Sequence, residues 1–203
     1  ILTNFSWAQV RDIPIVEQLD KPKAAEWTDE DLQRVAGQYA GISDRSVNFS
    51  PQQLRRLKEI DPHFFVLKYI SFSAIHKPKM AQRALKKYPQ AALYDAKGNP
   101  EPPLWGRQGR GVTFNPAHPQ WREYLVNEAK KIIEGGYDGL MADECLMVNE
   151  LSKEFSGINP KTGRIYTTAE FRKAQYENLK AVKEAIGEDK LLKGPCFSIP
   201  YAL

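Results

Sequence analysis

Cysteine is nearly absent: Cys145 and Cys196 are the only two in 203 residues. A disulfide-stapled mini-scaffold is therefore excluded. Their spacing fits no metal motif, and two buried thiols are the simplest reading, with one disulfide in a secreted protein as the alternative. Charge of one sign is also lacking. The chain has 29 Lys and Arg against 25 Asp and Glu, a net charge of +4, and no basic block longer than two residues. That is too diffuse for a phosphate-tracking surface, so no nucleic-acid partner is expected. The longest apolar stretch, around Phe64 to Leu67, falls far short of the roughly 20 residues that cross a bilayer, so no membrane insertion is expected. His63, His76 and His118 are not spaced as a metal set, and no metal is expected. Neither a Gly-x-Ser-x-Gly elbow nor a Gly-x-x-x-x-Gly-Lys loop occurs. Triad hydrolysis and ATP use are disfavoured, and no cofactor is expected.

What remains is enough to build a core. Hydrophobic residues make up 42% and aromatics 11% of the chain, which excludes disorder and makes one domain over residues 1–203 the expectation. The first residue is Ile1, with no basic-then-apolar leader before it, and this reads as a processed or partial chain. Asn4-Phe5-Ser6 and Asn48-Phe49-Ser50 match the N-glycosylation pattern, a weak pointer to a secreted or periplasmic location.

Helix starts are written clearly. Thr28 precedes Asp29, Glu30 and Asp31, placing negative charge at exposed amide ends, and Leu32 and Val35 continue an apolar stripe to Gly37. Ser50-Pro51-Gln52-Gln53 supplies a cap, a proline at the first helical position and a Gln three residues after the cap. Pro78 opens a helix to about Tyr88. Pro119 opens another, with Trp121, Tyr124, Leu125, Ile132 and Ile133 on one side and Gly135-Gly136 as its stop. Thr167-Thr168-Ala169-Glu170 is a capping box for a helix ending at Gly187.

Strand character falls at roughly Phe5 to Ile13, Tyr39 to Val47, Phe64 to Phe72, Tyr137 to Ala142 and Leu191 to Ile199. The Lys97-Gly98-Asn99-Pro100 turn lies in a long excursion between the third and fourth of these. Alternating strands and helices predict an α/β fold with a parallel sheet and right-handed crossovers. Two architectures fit: a five-stranded doubly wound sheet, which suits the length, and a (β/α)8 TIM-type barrel, which would here be incomplete at five strands. The doubly wound reading lacks a glycine-rich phosphate loop, since Arg11-Asp12-Ile13-Pro14 follows the first strand. The barrel reading leaves a bare parallel edge, so a further segment or a covering partner is expected.

Both architectures place the ligand site beyond the carboxyl ends of the strands. The polar groups there are Arg11 and Asp12, Asp44 and Arg45, Lys68, Tyr69 and Ser71, Asp143 and Glu144, and Ser198 and Tyr201. Asp143-Glu144 stands out, because a carboxylate ending an apolar strand needs partners or a function. An Asp after a strand is also an ordinary turn or cap residue. Alternation along the strand puts Asp143 on the face of Met141 and Glu144 on that of Ala142, so the two are not expected in one cleft.

The stretch Asn115-Pro116-Ala117-His118-Pro119-Gln120-Trp121-Arg122-Glu123-Tyr124, followed by Gly136-Tyr137-Asp138-Gly139-Leu140-Met141-Ala142-Asp143, resembles the centre of glycoside-hydrolase-like (β/α)8 barrels. There an N-P-x-x-P-x-W-R-x-Y helix precedes a G-[FY]-D-G-hydrophobic-x-x-D strand. The likeness covers roughly Asp61 to Glu144. It implies a carbohydrate-active enzyme, a glycoside hydrolase acting on an oligo- or polysaccharide, with Asp143 as nucleophile or essential carboxylate and Asp138 structural at the strand start. Glycosidases pair two carboxyl groups about 5–5.5 Å apart for retention or about 6.5–9.5 Å apart for inversion. The resemblance implies that the acid comes from a later strand, with Asp12, Asp44 and Glu144 as the fallbacks within this chain.

Asp12, Lys68, Tyr69, Trp105, Arg107 and Ser198 are the candidate substrate contacts. Trp105, Arg107 and Arg110 lie in a Gly- and Pro-rich segment where an aromatic face can stack on a sugar ring and Arg can bind its polar groups. A packed Trp is the plain alternative. Trp121 is expected to pack against the sheet, and His118 to serve as a cap or turn residue. Two further functions stay open: a sugar-binding barrel relative without an acid/base pair, and a doubly wound regulatory domain. Strand order 2-1-3-4-5 would favour the last.

Overall fold

The computed structural model describes residues 15–16, 26–44, 48–95, 97–103, 111–145, 158–159 and 162–194. In chain order the elements are β1 (Ile15–Val16), α1 (Asp29–Gln38), β2 (Gly41–Asp44), α2 (Pro51–Ile60), β3 (Phe65–Ser71), β4 (Ala74–Ile75), α3 (Pro78–Lys87), β5 (Val112–Thr113), α4 (Pro119–Glu134), β6 (Gly139–Asp143), β7 (Ile158–Asn159), β8 (Arg164–Ile165), α5 (Thr168–Ile186) and β9 (Leu191–Lys193). The main sheet runs β1-β2-β3-β6-β9. The strands of this sheet thus lie side by side in chain order, which is not the 2-1-3-4-5 order of the doubly wound alternative.

Registers follow the hydrophobic pattern. Ile15 pairs with Gly41, and Gly41 through Asp44 pair in parallel with Phe65 through Lys68. The Asp138 N–H donates to the Val66 carbonyl at 3.0 Å, and Phe72 N–H to the Asp143 carbonyl at 2.9 Å, so β3 and β6 run the same way. Gly41 is required by space: a Cβ there would lie 2.5 Å from the Phe65 ring.

The chain forms two compact units, Ile1–Tyr69 with Ile132–Met141, and Ile70–Lys131 with Ala142–Leu203. In the first, capping boxes start both helices. Thr28 Oγ1 accepts the Asp31 N–H at 3.2 Å while Asp31 accepts that of Thr28 at 3.0 Å, and Ser50 and Gln53 do the same at 3.2 and 2.9 Å. The apolar stripes these caps begin bury Leu32, Val35, Leu54 and Leu57 against Ile42 and Phe64. In the second unit, Thr167 and Glu170 cap α5 in the same manner, and Trp121 and Leu125 of α4 are buried. Gly136 and Gly187, with φ of 97° and 94°, end α4 and α5 in conformations closed to most side chains.

Some expected boundaries shift. Tyr39 caps α1 in an extended conformation, so β2 begins at Gly41. The first expected strand, Phe5 to Ile13, lies outside the described residues, and the paired strand found is Ile15–Val16. The last strand is described only over Leu191–Lys193. The excursion after β3 is more structured than a plain connection: β4 pairs antiparallel with β5, and Ala92 bridges to Phe114. The β7–β8 hairpin was not anticipated. Its two-residue strands are too short for any alternation to show.

Candidate active site

The second unit gathers polar groups at the ends of β3 and β6. Glu144 directly follows β6 and is 4% exposed. Ser71 Oγ donates to its Oε2 at 2.5 Å and Ser73 Oγ to the same oxygen at 2.9 Å. His76 Nε2 stands 2.9 Å from Oε1. Burial by itself would raise the Glu144 pKa, but His76 and the two hydroxyls outweigh it and hold the carboxyl below its ordinary range. Glu144 is also the one non-glycine among the described residues with a left-handed backbone, at φ 57°.

Asp143, the last residue of β6, is half-buried. Its carbonyl is held by the Phe72 N–H, and its Oδ1 accepts the Glu144 N–H at 2.9 Å. As alternation requires, Leu140, Ala142 and Glu144 are buried while Met141 and Asp143 are partly open. Cys145 is a free, buried thiol donating to the Ala142 carbonyl at 3.3 Å. Burial, with the nearby Asp143 charge adding to it, pushes its pKa up to about 12. Cys196 lies outside the described residues.

The motif on α4 proves to be an anchor. Asn115 Oδ1 accepts the Ala117 N–H at 3.0 Å and the buried Tyr166 hydroxyl at 2.6 Å. Trp121 Nε1 donates to the Phe72 carbonyl at 2.9 Å, and its ring stacks on Phe114 at 4.4 Å and Tyr124 at 5.0 Å. Arg122 Nε donates to Asn178 Oδ1, whose amide donates to the Pro116 carbonyl, both at 2.9 Å. His118 Nδ1 accepts the Gln120 N–H at 3.3 Å, the turn role expected of it.

In the first unit, Asp138 takes the structural place expected: its Oδ2 accepts the Val66 N–H at 2.9 Å, and Lys58 Nζ lies 2.7 Å from Oδ1. Lys68 Nζ donates to Asn48 Oδ1 at 2.5 Å and sits 5.5 Å above the Tyr137 ring, and Tyr69 is half-buried. Asp12, Trp105, Arg107 and Ser198 lie outside the described residues, as do Arg11, Arg45, Arg110 and Tyr201. Asp44 ends β2 opposite Lys68. Ser73 and His76 went unassigned in the sequence reading. The Ser-x-Ser spacing, which in extended chain puts two hydroxyls on one side, was the available signal.

Among the described residues, no group of three or more His, Cys, Asp or Glu comes together to hold a metal ion, and no helix is long and apolar enough to cross a membrane.

Solved structures define the class by fold. The chain is similar to the glycoside hydrolase domain of PelA from Pseudomonas aeruginosa, with TM-score 0.56, 14% identity and coverage of 89% of this chain and 57% of that one. It is similar to the α-galactosidase TtGalA from Thermus thermophilus in complex with stachyose, with TM-score 0.59, 15% identity and coverage of 91% and 41%. The GH31 dextranase FjDex31A of Flavobacterium johnsoniae, complexed with glucose, superposes with TM-score 0.61 at 11% identity, covering 89% of this chain and 25% of that one. The chain spans little more than half of the PelA domain and less of the other two. No curated protein matches in sequence. Residues 58–197, more than half of the chain, match the family described as hypothetical glycosyl hydrolase family 15, and the chain belongs to that family.

Proposed function

We propose that this chain carries the site of a glycoside hydrolase that acts on an oligo- or polysaccharide, built on a (β/α)8-type barrel of which β1, β2, β3, β6 and β9 are five strands. Asp143 is its nucleophile or charge-stabilising carboxylate, facing the positive charge that develops on the sugar ring in an oxocarbenium-like transition state. The observation that carries this reading is the place of Asp143: a partly open carboxylate at the carboxyl end of a parallel strand, with its backbone clamped by Phe72. Family membership and the fold of the similar enzymes support it. Glu144 is engaged by internal partners on both oxygens, so the general acid is assigned to a different strand end. A secreted location, consistent with a polysaccharide substrate, is part of the same proposal.

The test is Asp143→Asn against a panel of 2,4-dinitrophenyl glycosides and soluble polysaccharides. Turnover should fall by about 10³-fold or more, near 4 kcal/mol of barrel-site barrier stabilisation, with circular dichroism unchanged. Full activity in the variant would reject the assignment. Saccharide binding by calorimetry with no product from the native protein would instead support a non-catalytic sugar-binding relative.

A further inference from the structure

The tripeptide Ser71-Phe72-Ser73 grips two consecutive residues of the strand beside it. Its central N–H holds the Asp143 carbonyl at 2.9 Å, and its flanking hydroxyls hold Glu144 Oε2 at 2.5 and 2.9 Å. Ser71 Oγ also accepts the Ala74 N–H at 3.1 Å. On the other carboxylate oxygen sits His76, 2.9 Å away.

The backbone between these grips is strained. A left-handed φ at a non-glycine residue costs roughly 1–3 kcal/mol and persists only where the surroundings over-determine it. At Glu144, with φ 57°, the three partners from residues 71–76 supply that determination. In this conformation the Glu144 side chain turns back to the loop after β3, while its N–H lies 2.9 Å from Asp143 Oδ1. Asp143 is therefore fixed at its carbonyl and at one carboxylate oxygen. Glu144, 4% exposed with both oxygens engaged, has no open face to offer a sugar.

We propose that Glu144, locked by Ser71, Ser73 and His76, is a positioning residue that aims Asp143, and not a second catalytic carboxylate. The proposal rests on the reading of Asp143 as the site carboxylate. Its physical content is that the carboxylate cluster stores the left-handed turn, and the turn sets the direction of Asp143. The lowered pKa of Glu144 agrees with an anchor that is ionised at neutral pH.

Two readouts test it on the intact chain: kcat and KM on the dinitrophenyl glycosides, and the rate at which carbodiimide with glycine ethyl ester labels Asp143, followed by peptide mass mapping. Since a misplacement of about 1 Å costs on the order of 10²-fold, Glu144→Ala should lower kcat by about 30- to 100-fold with KM within about twofold, while Glu144→Gln, which keeps the shape and one oxygen for the serine hydroxyls, should stay within about tenfold of the native protein. The labelling rate of Asp143 should change at least severalfold in Glu144→Ala and little in Glu144→Gln. Unchanged kcat and labelling in Glu144→Ala would overturn the proposal. So would a Glu144→Gln variant as inactive as Asp143→Asn, since that would make Glu144 catalytic. Should Glu144→Ala fail to fold, Ser73→Ala carries the same expectation in weaker form. Should the native protein cleave no glycoside, the hydrolase reading falls, and the labelling comparison still decides whether Glu144 aims Asp143.

Discussion

The Phe72 carbonyl accepts the indole N–H of Trp121 at 2.9 Å, while the N–H of the same residue donates to the Asp143 carbonyl at 2.9 Å. Gln175 Nε2 approaches that carbonyl as well, at 3.4 Å. One residue thus ties α4 and α5 to the strand end that carries the candidate carboxylate, so a substitution on the helix should be felt at Asp143.

Trp121→Phe keeps most of the stacking on Phe114 and Tyr124 but leaves the Phe72 carbonyl short of a donor. We expect a loss of about 1–2 kcal/mol in urea unfolding, and about 3–5 kcal/mol for Trp121→Ala, which also opens a cavity. A measured loss below about 0.5 kcal/mol for the alanine variant would contradict the packing described.

The Glu144 cluster makes a pH prediction with a definite sign. Its folded-state pKa lies below the ordinary value of 4.5, so the stabilisation is fully present above the unfolded-state pKa and is lost as pH falls through the folded one. The stability difference between the native protein and Glu144→Gln should therefore shrink as pH falls below about 4.5. A difference that grows on acidification would show the opposite shift.

Cys145, buried and with a pKa near 12, should resist thiol reagents at pH 8 in the folded protein and react at once in denaturant. Iodoacetamide labelling with peptide mapping separates it from Cys196. Rapid native-state labelling of Cys145 would refute its burial.

Asp138→Ala removes the acceptor of the Val66 N–H and the partner of Lys58. A buried donor left unpaired costs about 1–3 kcal/mol. We expect that loss in chemical denaturation.

Gly41→Ala places a Cβ 2.5 Å from the Phe65 ring and 2.6 Å from its carbonyl. Crowding of this kind costs about 1–3 kcal/mol. A variant as stable as the native protein would show that the β2–β3 register differs from the one described.

Local chemistry was enough to write the helices. Ser50 and Thr167 announce their caps and Thr28 its acidic first turn within four residues, and Gly136 and Gly187 announce the stops, because capping and left-handed termination are satisfied by near neighbours in the chain. The structural place of Asp138 was legible too, through the motif that brackets β6. What the sequence left unsaid is who meets whom. Ser71, Ser73 and His76 lie some seventy positions from Glu144, and Asn178 lies 56 from Arg122. Such pairings leave no mark on periodicity. They arise only when parallel strands are brought side by side, about 5 Å apart, by the helices between them. Alternation already set the two adjacent carboxylates on opposite faces; only the tertiary structure decided that Glu144 is enclosed by Ser71, Ser73 and His76 through a left-handed backbone while Asp143 stays partly open.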